Sequence, residues 1–179
     1  MYSIRKANLD DIPALRNLMQ RSVNGLAGAF YSPAQTEAAA RFLTIPDPVI
    51  IEDGTYYIVE HGGEIVGCGG WSTRRKLFTG SDSQESLSAD WLNPASDPAK
   101  IRAFFVSPDH ARQGIGRLIY QACEQGAREA GFRALELMAT LPGVPLYESL
   151  GFSASEPADI LLPDGSYLPC LPMSKTLCS

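Results

Sequence analysis

Arg112-Gln113-Gly114-Ile115-Gly116-Arg117 is the stretch of this sequence whose residue types and spacing most readily do chemistry. An apolar, strand-like run (Phe104-Phe105-Val106) precedes it, then Ser107-Pro108 and the polar turn Asp109-His110-Ala111. After it, apolar residues recur with helical spacing. The first N–H groups of a helix have no partner within the helix, and the helix dipole puts partial positive charge there. Gly114 and Gly116 lack the Cβ atoms that would keep a diphosphate from those amides. Arg112 and Arg117 add cationic side chains at the same mouth. The pattern therefore predicts a binding site for a phosphorylated cofactor.

Two common phosphate loops are excluded by spacing. The nucleoside-triphosphate loop needs a Gly-Lys pair, and the chain has none. The dinucleotide fingerprint needs a third glycine three residues after the second, where this chain has Ile119. What remains resembles the acyl-CoA loop of the GCN5-related N-acetyltransferases, Gln/Arg-x-x-Gly-x-Gly/Ala. Gly114-Ile115-Gly116 match its second half. Ala111 stands where Gln or Arg is expected, but its main-chain amide is kept, and Arg112 and Gln113 are placed to supply side-chain contacts. On the loop alone, a glycine-softened helix start with no ligand remains open. Leu146-Tyr147-Glu148-Ser149-Leu150-Gly151-Phe152 then resembles the same family's Tyr-x-x-x-Gly-Phe signature, in the expected order and at the expected distance. Gly151 suits the left-handed position that closes a helix. On the two motifs together, the chain is identified as a member of this superfamily over almost its whole length.

The resemblance implies an α/β (α+β) fold. Its central sheet is mixed and mostly antiparallel, with six to seven strands, about four flanking helices and a splay between the fourth and fifth strands. It implies acetyl-CoA as acyl donor and direct attack by a primary amine. In the family's terms, the Val106 N–H polarises the thioester carbonyl, with Phe105 the flanking alternative, and Tyr147 is the candidate acid for the leaving thiolate. The cofactor contacts are then Phe105, Val106, Ala111, Arg112, Gln113, Gly114, Ile115, Gly116, Arg117 and Thr140. Thr140, or backbone, takes the place of an asparagine that relatives often use for the pantetheine arm. The central strand carries no carboxylate, so Glu52, Asp97, His110 or a water chain is left as base, and nothing selects among them.

The elements that must position these residues read in order. Tyr2 to Ala7 is a first strand. Asp10 is the expected cap of an amphipathic helix (Ile12, Leu15, Leu18, Met19, Leu26) that Gly25 and Gly28 end. Ser32-Pro33 opens a second helix, stopped before Pro46 and Pro48. In the family this helix pair borders the acceptor pocket, which makes Asn24, Phe30 and Tyr31 candidate lining residues beside their ordinary structural reading. Thr55 to Glu60, Gly62-Gly63 and Glu64 to Ser72 form a hairpin. Gly67, Gly69 and Gly70 mark a bulge or a close approach in its second strand. Trp71 is a pocket wall or core.

Residues 73–100 turn basic, then polar and acidic (Asp82, Glu85, Asp90, Asp97), an insertion that is either a lid or a solvated excursion. Ile101 to Val106 is the central strand, and a helix follows from Ile115 to Ala130-Gly131. Arg133 to Ala139 is the next strand. Further strands run toward Leu162 and from Tyr167 to Leu177, where Pro169 and Pro172 suit an edge.

A chain of 179 residues with 45% apolar content is most simply one domain, residues 1–179, that buries most of its surface. A net charge of −5 argues against a nucleic-acid surface and is compatible with a cationic acceptor. Four cysteines without Cys-x-x-Cys spacing, and two histidines, argue against structural zinc. No apolar run reaches membrane-spanning length and no signal pattern is present, so the expectation is a cytoplasmic protein with reduced thiols, no membrane partner and no metal. Three functions compete: acetylation of a small-molecule amine, acetylation of a protein lysine or N-terminus, and acyl-CoA sensing without efficient turnover. A homodimer is possible on family grounds.

Overall fold

In the computed structural model, which describes residues 1–178 apart from the Asp82 side chain, the first helix begins earlier than Asp10. The Asn8 side chain accepts from the Asp10 N–H, and the Asp11 carboxylate accepts from the Asn8 N–H. This capping box starts a 3₁₀ turn, Leu9–Asp11, that runs into α1, Ile12–Leu26. Nor does Gly25 end α1. The helix passes through it, and a Cβ there would lie 2.4 Å from Pro108 Cγ, in the turn before the glycine loop. Glycine is present for that close approach. Gly25→Ala should therefore lower stability, although alanine is the better helix former by about 1 kcal/mol. The overpacking cost of about 1–3 kcal/mol is larger, and urea unfolding would show a fall in midpoint.

The other helices are α2 (Pro33–Phe42), α3 (Pro48–Glu52), α4 (Asp82–Glu85), α5 (Ile115–Glu129) and α6 (Val144–Ser149). Ser32 and Gln35 cap α2 reciprocally, as Ser32-Pro33 predicts. Asp47 caps α3, where the sequence shows only a proline stop. The strands are β1 (Ser3–Lys6), β2 (Tyr56–His61), β3 (Glu64–Ser72), β4 (Ala99–Val106), β5 (Ala134–Thr140), β6 (Ser153–Ala154), β7 (Ala158–Leu161) and β8 (Tyr167–Thr176). They form one open sheet in the order β1-β2-β3-β4-β5-β8-β6, with β7 beside β8. Eight strands result because the segment after Phe152 breaks in two at Ser155-Glu156-Pro157.

β8 is an inner strand, not an edge. It pairs with β5 on one side and with β6 and β7 on the other. Its prolines are accommodated all the same. The Pro172 carbonyl accepts from Ser155, so its missing N–H direction falls at the break between β6 and β7. Pro169 lies one residue beyond the last β5–β8 pair, Thr140–Cys170. Neither breaks a ladder bond.

Every neighbouring pair is antiparallel except β4–β5, which is parallel and registers only at Ala99–Leu135 and Lys100–Glu136. Beyond those pairs the two strands diverge, so the sheet is splayed between its fourth and fifth strands. α5 covers one face through Ile115, Ile119, Tyr120, Cys123 and Ala127. Trp71 belongs to this core, edge-on to Phe132 at 6.1 Å. α1 and α3 cover the other face through Leu15, Leu18, Met19, Ile50 and Ile51. α2 packs with β7 and β8 at the same side.

Residues 73–98 contain α4 and a 3₁₀ turn, Ser86–Ala89; their earlier part is tied to the α1–α3 side of the sheet, and Leu92 is buried in the core on the α5 side. Asp47 and Arg102 meet at 3.0 Å and Asp47 and Lys76 at 3.3 Å, all three buried. Arg102 also donates to Thr79, and Lys76 meets Glu85 at 2.8 Å. Arg74 grips Asp53 with two hydrogen bonds and stacks on Trp91. Phe78 packs into the cluster of α2 and β8, and Gly80 sits against the Phe42 carbonyl. The insertion is a docked flap rather than a solvated excursion.

Candidate active site

The open edge of β4 owes its geometry to a bulge. Gly70 faces Arg102 and Cys68 faces Phe105, so Gly69 alone stands opposite Ala103 and Phe104. Ala103 has φ 55°, a left-handed conformation for a residue with a Cβ. Such a conformation persists where its surroundings enforce it. Here the buried Tyr56 hydroxyl donates to the Ala103 carbonyl at 2.8 Å, and a Cβ on Gly69 would strike the Phe104 ring at 2.4 Å.

The extra residue inverts the side-chain alternation. Ile101 faces α5, Ala103 and Phe105 face α1, and Phe104 and Val106 return to the α5 side. Phe105 stays in the ladder opposite Cys68. Ser107 donates to Val66 across the ladder, so the Val106 N–H points away from β3, and it donates to the Ser22 Oγ at 3.3 Å.

Phe104 meets Tyr147 of α6 at 6.0 Å between ring centroids, and Phe152 closes the other side at 5.7 Å. Tyr147 is buried, and burial pushes its phenol well above the ordinary value. Its hydroxyl makes no hydrogen bond among the described residues. Strand β4 and helix α6 thus bring a backbone edge and a protonated phenol to the mouth of the splay. Thr140, the last residue of β5, starts the 3₁₀ turn Leu141–Gly143 that leads into α6.

The glycine loop wraps the start of α5. Arg112 (φ 63°) and Gly114 (φ 85°) are both left-handed, and Ala111 between the 3₁₀ turn and Arg112 is extended. This turns the exposed loop over the free amides of Ile115, Gly116 and Arg117. Gly114 is required by its φ. Gly116 is required by packing instead, because a Cβ there would lie 2.7 Å from Leu146 Cδ2 of α6. It lets the two motif helices pack closely. Ile115 is buried under Gly67, whose Cβ would lie 2.4 Å from Ile115 Cγ2.

Arg117 reaches Ser149 at 3.3 Å. The Gln113 side chain accepts from the Tyr2 hydroxyl at Oε1 and donates from Nε2 to the Asp109 carbonyl at 3.4 Å. Among the described residues no group of three His, Cys, Asp or Glu could hold a metal, and no helix is long and apolar enough to cross a membrane.

Of the expected acceptor-side residues, Asn24 and Tyr31 line a groove of about 660 Å³ between α1 and α2, with Gln20, Thr36, Glu37 and Arg41. Phe30 is outside it and half exposed. Tyr31 clamps the groove to the sheet, donating to the Pro169 carbonyl at 2.6 Å and accepting from Leu141 at 3.0 Å. The three side chains considered as base lie apart from one another. Asp97 accepts from the Asn93 N–H within the insertion, Glu52 is exposed at the end of α3, and His110 stacks with His61 and Tyr2.

Ser22 and the Tyr56–Ala103 bulge have no place in the sequence motifs. Ser22 did leave a signal: with Leu15, Leu18 and Met19 it occupies i+7 of the apolar stripe, a polar residue where the core is expected.

A splayed sheet, a glycine-started helix at the splay and a buried tyrosine beside it define a protein of the acetyltransferase class. The sequence profile of the acetyltransferase (GNAT) family matches residues 19–152, and the chain belongs to that family. Solved structures share the fold. A GCN5-related N-acetyltransferase from Rhodopseudomonas palustris is 20% identical with TM-score 0.74, over 98% of this chain and 95% of its own. The PaiA N-acetyltransferase from Thermoplasma acidophilum, solved with coenzyme A, is 14% identical with TM-score 0.68, over 98% and 99%. The ribosomal-protein-S18-alanine N-acetyltransferase from Escherichia coli is 20% identical with TM-score 0.59, over 100% and 96%.

Proposed function

We propose that the protein transfers the acetyl group of acetyl-CoA to a primary amine of a small molecule. The observation that carries this reading is the unpaired end of β4, where the Val106 N–H faces the splay beside Tyr147 and the free amides of α5. The thioester supplies an activated acyl carbon. The loop amides from Ile115 to Arg117, with Arg112 and Arg117, hold the diphosphate, and Thr140 or the backbone near it holds the pantetheine arm. The Val106 N–H stabilises the negative charge that develops on the carbonyl oxygen as the neutral amine attacks. As the C–S bond breaks, Tyr147 gives its proton to the sulfur, and the amine loses its own proton to water.

Two features support a small acceptor. The earlier part of the docked flap and the polar groove between α1 and α2 lie on the α1–α3 side of the sheet, and Glu37 with Arg41 in that groove suits a polar, charged acceptor. The test is free-thiol release from acetyl-CoA across polyamines, amino acids, aminoglycosides, a lysine peptide and a peptide with a free N-terminus, after calorimetry with acetyl-CoA. Turnover confined to one class of small amine is expected. Turnover on the peptides alone would replace the small acceptor with a protein. Tight binding without turnover on any amine would make the protein a sensor.

A further inference from the structure

The only hydrogen bond that the Ser22 hydroxyl makes among the described residues is the one it accepts from the Val106 N–H, at 3.3 Å. Ser22 is 6% exposed, deep in the core face of α1. A serine inside a helix ordinarily turns its hydroxyl to water or to the carbonyl four residues back. Thr44 does the latter, donating to the Ala40 carbonyl. Ser22 does neither, so its proton is unspent at the edge of β4 that the splay leaves open. The helix that carries it is pinned there. Arg21 pairs with Asp109 at 3.0 Å and reaches Ser107 Oγ at 3.5 Å, and Gly25 lies against Pro108. The Ser22 backbone is therefore held at the end of β4, and its Oγ beside the Val106 N–H.

Resting on the acetyl-transfer reading above, we infer that Ser22 is a second hydrogen-bond donor to the acyl carbonyl, acting beside the Val106 N–H. A carbonyl oxygen that accepts from Val106 enters within reach of Oγ. The hydroxyl then stops accepting from the amide and turns its free proton onto the same oxygen. No bond other than hydrogen bonds changes in this step. Two donors converging on one oxygen stabilise the charge that appears only as the amine attacks, so the contact acts mainly on kcat.

The test uses acetyl-CoA labelled with ¹³C at the carbonyl carbon, bound to wild type, Ser22→Ala, Ser22→Cys and Ser22→Thr. Infrared difference spectra of the binary complexes read the carbonyl band, and calorimetry with plain coenzyme A reads binding that needs no carbonyl. The wild-type band is expected below that of the free thioester. It should return part of the way in Ala and Cys and stay low in Thr, with coenzyme A affinity alike in all four. With an accepted amine, kcat should fall on the order of 10- to 100-fold in Ala, the low side of losing one oxyanion donor, and recover in Thr.

An identical band in wild type, Ala and Cys would overturn the assignment. So would a kcat in Ala equal to or above wild type, because Ser22 would then compete with the carbonyl for Val106. If Ala does not fold, Cys carries the comparison. A wild type that binds acetyl-CoA but acetylates nothing would sink the proposed function, while the band would still judge Ser22. A wild type that binds no acetyl-CoA would sink both.

Discussion

Tyr147→Phe is expected to cut turnover by about 10²-fold or more while leaving the fold and acetyl-CoA affinity nearly unchanged. The change deletes one oxygen and keeps the ring, so the contacts with Phe104 and Phe152 survive. The hydroxyl has no hydrogen-bond partner among the described residues, so its removal strands nothing. What goes is the proton. Burial holds the phenol protonated well past its ordinary value, which makes it a poor base and a persistent donor. A positioned acid contributes roughly 10²–10⁴-fold to a step that needs it. The pH profile adds a second check: no alkaline fall in rate should come from Tyr147 below about pH 10, the ordinary value for tyrosine. Steady-state kinetics with the amine found above, alongside thermal unfolding, would decide. Unchanged kcat in a folded mutant would remove Tyr147 from the chemistry and leave the thiolate to solvent.

The largest effect on stability is expected from Asp47→Asn. Burial alone would raise the Asp47 carboxyl, but it is outweighed by the charges of Arg102 and Lys76, with help from the Val49 N–H, and the group titrates below its ordinary value. Replacing the carboxylate leaves two buried cations facing a neutral amide. Removing one partner of a buried pair costs about 3–5 kcal/mol. Glu85, half exposed beside Lys76, offsets part of that, so a loss of about 3 kcal/mol is expected. In a domain of this size that is about 6–12 °C in Tm.

The pH dependence has a definite sign. A carboxyl whose folded value is depressed contributes stability that is fully present above its unfolded value, about 3.9. That contribution is lost as the pH falls through the folded value. Wild type should therefore destabilise steeply below about pH 4, and Asp47→Asn should show a shallower acid limb. Urea unfolding across that range measures both. Equal midpoints and parallel acid limbs would mean that the flap is not held by this cluster.

Local chemistry was legible in the sequence, and contacts between distant segments were not. Ser32-Pro33, Gly62-Gly63, Gly114-Ile115-Gly116 and Gly151-Phe152 each state their conformation within a few residues, and each forms as written. Gly25 looked like a helix end because its reason, Pro108, lies far along the chain. That Gly116 also meets Leu146 could not be read, because Leu146 cannot be placed on it before the fold is known. Pro169 and Pro172 argued for an edge strand, and only the lengths of β5, β6 and β7 show where their missing N–H groups fall. Asp47, which no sequence pattern singles out between Pro46 and Pro48, holds the insertion. In the site itself the loop and Tyr147 could be named. The glycines of β3 pointed to a bulge or a close approach, and both are there; that the extra residue falls on β4 could not be read, because Ala103 carries no mark of a left-handed backbone.

The parallel pairing that opens the sheet also divides the molecule's cooperativity. β5 shares two residue pairs with β4 and seven with β8. Its attachment is therefore to the later half of the chain, and mainly α5 and the core around it bind that half to β1–β4. Val106 and Ser22 sit on the β1–β4 side of the seam between β4 and β5, and Tyr147, on α6, sits on the other, with one side-chain core shared across it. Segments joined mainly by side-chain packing can open locally at less than the global free energy of unfolding. The distance between donor and acid is then a quantity that thermal breathing modulates, and an elongated thioester lying across the seam would lock the two sides together.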